Sequence, residues 1–110
     1  YISDLFKKSL KYTLLNYDKV YILSAKYYLL EIDDVIKPYD LTLNNLNEKE
    51  KKIWSYNVYH LIKNKIGLEH DFYFYCGINY RKYLIKKLNG YEPLKGMSFG
   101  NQLKFYKENI

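Results

Sequence analysis

The hydrophobic positions along the chain change period several times, and the changes mark out its elements. Phe6, Leu10, Thr13 and Leu14 recur at helical spacing, predicting a helix over residues 4–15 that Ser3 or Asp4 can cap. Lys19 to Ser24 (KVYILS) is short and rich in β-branched and aromatic residues, and reads as a strand. Residues 25–46 hold no sustained period and contain Pro38, so they read as a long irregular connection. Asn47 followed three residues later by Glu50 has the form of a capping box. It precedes an apolar stripe of Trp54, Val58, Leu61 and Ile62, and Gly67 ends that helix. Asp71 to Cys76 (DFYFYC) reads as a second strand, whose continuous aromatic run predicts burial on both faces. Gly77 turns the chain into a helix over residues 79–88, which Asn89-Gly90 stops. Residues 91–97 read as loop, and Ser98 as the cap of a last helix with Phe99, Leu103, Tyr106 and Ile110 on one side.

This order is an α/β pattern. It predicts a single small three-layer-like domain over residues 1–110, with a short, mainly parallel sheet flanked by helices. If strands 19–24 and 71–76 are parallel neighbours, their C-terminal ends share one edge of the sheet. Ser24-Ala25-Lys26-Tyr27 then leaves one end and Cys76-Gly77-Ile78-Asn79-Tyr80 the other. Ligands of open α/β sheets bind at that edge. Two strands are few, since a sheet usually has about four to six. The chain opens at Tyr1 rather than Met, directly into a helical pattern. The expectation is therefore that an N-terminal segment, supplying another strand, precedes it.

Composition narrows the class. The 110 residues and 48% hydrophobic content suit one globular core. No apolar run approaches the roughly 20 residues of a membrane helix. No targeting segment is visible. A single cysteine, Cys76, excludes an internal disulfide framework and fits a cytoplasmic setting. The formal charge of +6 is uneven: residues 77–110 carry seven basic against two acidic side chains, and residues 31–50 six acidic against two basic. The basic end can attract phosphate, or can be a solvated lysine surface. Only Arg81 among the 18 basic residues is an arginine, whereas readers of phosphate and bases favour arginine forks. The Lys, Asn, Tyr and Ile richness also fits an AT-rich genome, which discounts the 15 tyrosines as base-stacking groups.

Four constellations can carry chemistry. Ser24 and Lys26 make a nucleophile–base pair if the lysine is desolvated, or an anion site; otherwise they are a strand-end serine and a solvated lysine. Tyr39, Asp40 and Thr42 follow Pro38, which fixes the loop, and Asp40 can bond a base or sugar or act as a general base; otherwise these residues close turns. Gly77-Ile78-Asn79-Tyr80 joins strand to helix, where backbone N–H groups can face an anion, or simply turn. Gln102, near Gly96 and Gly100, can read a base edge or belong to an ordinary cap. His60, His70 and Cys76 are scattered without metal-ligand spacing, and no metal or cofactor is expected.

The run Ser24 to Leu43 (SAKYYLLEIDDVIKPYDLTL) resembles S-A-K-Y-G-L-L…I-x-P-Y-D-x-T-L, the signature of a family of small bacterial and phage domains of unknown function. That family is in turn distantly similar to the YaaA peroxide-stress family, registering at Ser24, Tyr27, Leu30, Asp34, Ile36, Pro38, Tyr39 and Leu41. Gly77, Tyr80, Pro93-Leu94, Gly96, Gly100 and Gln102-Leu103 extend the resemblance to the small family. So do Tyr1, Ser3, Leu5 and Phe6, which in that family follow a C-x-x-K strand. Tyr28 departs from both patterns, which have glycine there. The resemblance implies a YaaA-like α/β domain and a link to DNA or to enzymes handling bases and nucleosides.

The expected function is binding of a nucleotide, nucleobase or nucleic acid at the C-terminal sheet edge. Ser24, Lys26, Tyr39, Asp40, Thr42, Gly77, Tyr80 and Gln102 are the candidate ligand-binding residues. The alternatives are an enzyme cleaving or transferring an N-glycosidic bond, with Asp40, Lys26 and Ser24 as catalytic candidates, and a non-catalytic protein-interaction domain.

Overall fold

A computed structural model describes residues 3–34 and 42–110. The chain divides into two units, Tyr1–Val20 with Pro93–Ile110, and Tyr21–Glu92.

The first unit pairs helix α1 (Asp4–Asn16) with helix α4 (Phe99–Asn109). Both begin as the sequence predicts: the Ser3 hydroxyl accepts from the Phe6 N–H, and that of Ser98 from the Asn101 N–H. Tyr12 of α1 meets Phe105 and Tyr106 of α4 with ring centroids 5.2 and 5.6 Å apart. Tyr106 is buried, whereas Leu14, Phe99 and Ile110 of the predicted stripes are exposed. Thr13 of the predicted face is buried, and Ser9 is buried with it. Ser9 donates to the Phe6 carbonyl at 2.8 Å and Thr13 to the Ser9 carbonyl at 2.9 Å, so burial leaves neither hydroxyl unpaired.

The second unit is built around helix α2 (Glu48–Lys65), which starts with the predicted capping box, Asn47 and Glu50 bonding each other's backbone N–H groups. Trp54, Val58 and Ile62 bury one side of α2. Leu29, Leu43, Leu84 and Leu88 complete that core. Gly67, at φ +95°, ends the helix where a side chain would be strained.

The strand pairing departs from the sequence expectation. Strand β1 (Tyr21–Ser24) pairs antiparallel with β2 (Tyr28–Glu31), a strand inside the predicted irregular connection, so residues 25–27 are a hairpin turn. Strand β3 (Asp71–Tyr73) pairs in parallel with β4 (Asn89–Tyr91), the segment read as a helix stop. Among the described residues β1 and β3 therefore lie in separate two-stranded sheets and share no edge. The parallel crossover is the run from β3 through α3 (Ile78–Arg81) to β4, with helical turns continuing to Leu88. β3 is shorter than predicted, and its residues alternate between exposed and half-buried rather than being covered on both faces.

Two backbone positions leave these strands without a local signature in the sequence. Hairpins of this length signal themselves with a glycine at the left-handed position. Here Tyr28 holds that position at φ +66°. Its half-buried ring packs against the core, so packing retains a side chain that costs roughly 1–2 kcal/mol in the left-handed region. Gly90 sits inside β4 because Ile85 lies against its backbone: a Cβ there would stand 2.6 Å from Ile85 Cδ1 and 3.2 Å from its Cα.

Tyr28→Gly and Tyr28→Ala lose the same packing, but only Gly also relieves the backbone. The usual order should therefore reverse in chemical denaturation, with Tyr28→Gly the more stable by about 1 kcal/mol. Trp54 Nε1–H donates to the buried Ser24 carbonyl at 2.9 Å, so Trp54→Phe, which strands that acceptor, should destabilise by roughly 1–3 kcal/mol in the same measurement.

Candidate functional site

Ser24 ends β1 fully buried. Its hydroxyl accepts from the Tyr27 N–H at 2.9 Å, and its carbonyl accepts from Trp54 Nε1–H at 2.9 Å. These bonds close the hairpin and fasten it to α2. Lys26 is exposed at the turn, with Nζ 5.4 Å from the Tyr27 ring centroid. The two thus sit in different surroundings, buried and exposed.

Tyr80 meets the Trp54 ring edge-to-face at 5.6 Å, so Ser24 and Tyr80 flank one tryptophan. Thr42 caps the short 3-10 helix Leu43–Asn45, and Asn44 Oδ1 accepts from Asn79 Nδ2 at 2.5 Å. That bond ties the 3-10 segment that Thr42 opens to the α3 turn that Gly77 opens. Gly77 precedes α3 with an ordinary φ of −64°, and a Cβ there would make only a 3.8 Å contact with Tyr80. α3 is a single turn, so few peptide dipoles align toward an anion. Gln102 belongs to the other unit, where Nε2 donates to the Met97 carbonyl at 3.0 Å. Tyr39 and Asp40 lie outside the described residues.

Arg81 and Cys76 have structural surroundings. Arg81 Nε bonds Glu92 at 2.5 Å and Nη1 bonds the Cys76 carbonyl at 2.6 Å, holding the α3 turn to the exit of β4. Burial pushes the Cys76 thiol up to about 12, so it stays protonated at neutral pH, unsuited to nucleophilic attack.

A concentrated charge and aromatic surface lies elsewhere, where α2 runs beside residues 82–87. Glu48 accepts from Lys82 at 2.8 Å, from Lys51 at 3.2 Å and from the Tyr83 hydroxyl. Those donors, Lys82 and Tyr83 first, lower the Glu48 carboxyl to about 2; the same bond raises the Tyr83 hydroxyl. One helical turn on, Lys52 stands 5.6 Å from the Tyr83 ring centroid, and Lys82 stands 5.3 Å from it. Further along, Lys87 Nζ lies between Tyr56 and Tyr59, 5.5 and 5.4 Å from their centroids. His60 packs on Tyr56 at 4.3 Å. Two lysines share the single Glu48 carboxylate, and neither Lys52 nor Lys87 has an ion pair among the described residues. The face is thus cationic, with ammonium groups held over rings.

The spacing Lys52, Tyr56, Tyr59, His60, Lys63 was legible as a second helical stripe beside the apolar one. What could not be read was that residues 82–87 lie alongside it. Among the described residues no group of three or more His, Cys, Asp or Glu can hold a metal, and no helix is long and apolar enough to cross a membrane.

Comparison with known families matches residues 1–108 to a family of unknown function, DUF6884. The chain belongs to that family. No curated protein and no solved structure matches it.

Glu48, depressed in the fold, adds stability that is complete above the ordinary carboxylate range and is lost as pH falls toward about 2. Acid titration of the unfolding midpoint should therefore fall less steeply below pH ~4.5 in Glu48→Gln than in the wild type.

Proposed function

We propose that this DUF6884 domain binds a phosphate-bearing ligand of the nucleotide or nucleic-acid class through the lysine–tyrosine face of α2 and residues 82–87. The observation that carries the reading is the placement of Lys52, Lys82 and Lys87 over Tyr83, Tyr56 and Tyr59. A lysine held on a ring keeps its charge presented outward and loses little freedom when an anion arrives. Phosphate contacts by such point charges release counterions and need no arginine fork. The only arginine, Arg81, is engaged by Glu92 and the Cys76 carbonyl. The resemblance of residues 24–43 to the YaaA pattern points toward the same ligand class.

The face replaces the shared sheet edge as the proposed location, because β1 and β3 do not pair. Among the described candidates of Tyr21–Glu92, Lys26 and Gly77 are exposed and Thr42 and Tyr80 partly buried, whereas Ser24 is buried with its hydroxyl engaged.

Salt-titrated binding to fluorescent oligonucleotides, beside a panel of free nucleotides, tests the proposal. Affinity should fall steeply with salt, and Lys52→Ala/Lys87→Ala should reduce the log–log slope by roughly 0.7 per lysine for a single strand. Unchanged affinity and slope in that double variant, with an unchanged unfolding midpoint, would exclude this face.

A further inference from the structure

We infer that the lysine–tyrosine face takes single-stranded nucleic acid in preference to duplex, with Tyr56 stacking on an unpaired base; this rests on the phosphate-binding reading above. Tyr56 is 54% exposed, although it sits on the long helix that anchors the core of its unit. An aromatic ring on a rigid helix and half open to water offers a stacking surface at little entropic cost. Lys87 lies 5.5 Å from its centroid, which puts an anion-binding charge beside the ring. His60 packs at 4.3 Å and steadies the ring from its own helix.

A nucleotide in a single strand presents a phosphate and an open base face together, and this arrangement meets both. In a duplex the base faces are closed by their neighbours, so Tyr56 would contribute nothing and only the lysines would act. The stripe from Lys52 to Lys63 runs roughly 16 Å along the helix at 1.5 Å per residue, enough to follow several sugar-phosphate units. Sequence tolerance follows from the chemistry. Lysines contact phosphate as point charges, and the arginine that would read a base edge in paired bonds is engaged within the fold.

The test compares oligo(dT) with a blunt duplex of the same length, by fluorescence anisotropy at several salt concentrations. The wild type, Tyr56→Ala, Tyr56→Phe and Lys52→Ala/Lys87→Ala are measured, each with its unfolding midpoint. The wild type should prefer the single strand by about tenfold or more, and Tyr56→Ala should lose about tenfold at an unchanged salt slope, as expected for one lost stack. Tyr56→Phe, which keeps the ring, should bind as the wild type does. Equal or tighter duplex binding, or a Tyr56→Ala variant within about twofold of the wild type, overturns the single-strand inference and leaves the phosphate-binding reading standing. Binding of neither polymer overturns the single-strand inference, and binding of neither polymer nor any free nucleotide overturns the phosphate-binding reading as well.

Discussion

The hydrogen bond from Trp54 Nε1–H to the Ser24 carbonyl is the constraint on which the Tyr21–Glu92 unit depends. Both ends are buried, so the bond is made away from competing water, and either group alone would be costly to leave unpaired. It joins the end of β1 to the middle of α2. The Ser24 hydroxyl, bonding the Tyr27 N–H, closes the hairpin turn beside it. Tyr80 packs on the same indole, so the turn into α3 is located against the same point. Three segments distant in sequence are thereby set by one side chain.

With α2 held in this way, its two sides take separate work. Trp54, Val58 and Ile62 face the core, and burial of such side chains is worth roughly 1.5–3 kcal/mol each. Lys52 and Tyr56 lie on the other side, and Tyr59, partly buried against the core, stands between the two, beside Lys82, Tyr83 and Lys87. Leu84 and Leu88 bury the inner side of the second segment, which leaves its lysines and Tyr83 outward. The cationic face is thus a consequence of two amphipathic segments packed along one another.

The elements that depend on local chemistry were legible. Ser3, Asn47 and Ser98 cap their helices as their side chains allow, and Trp54, Val58 and Ile62 of the α2 stripe are buried where their period places them, with Leu61 partly buried. β2 has no such local signal, because its hairpin lacks the glycine that marks such turns, Tyr28 standing at φ +66° in its place. β4 is masked in the sequence because Asn89-Gly90 has the composition of a helix stop. What fits Gly90 to a strand is Ile85 lying against its backbone, a contact made only once the chain has folded back. Ser24 shows the same limit: its type suits a nucleophile or a turn, and burial beside Trp54 gives it the second role in this fold.

The sequence by itself determined what rests on near neighbours: helix starts, the apolar face of α2, the stop at Gly67 and the lysine-rich charge. Capping bonds and helical periodicity act within a few residues, so they are written in the order of the chain. The tertiary structure decided which strands pair, and which lysines stand over which tyrosines. Those are contacts between residues tens of positions apart, and they exist only where packing around Trp54 and Leu84 brings the segments together.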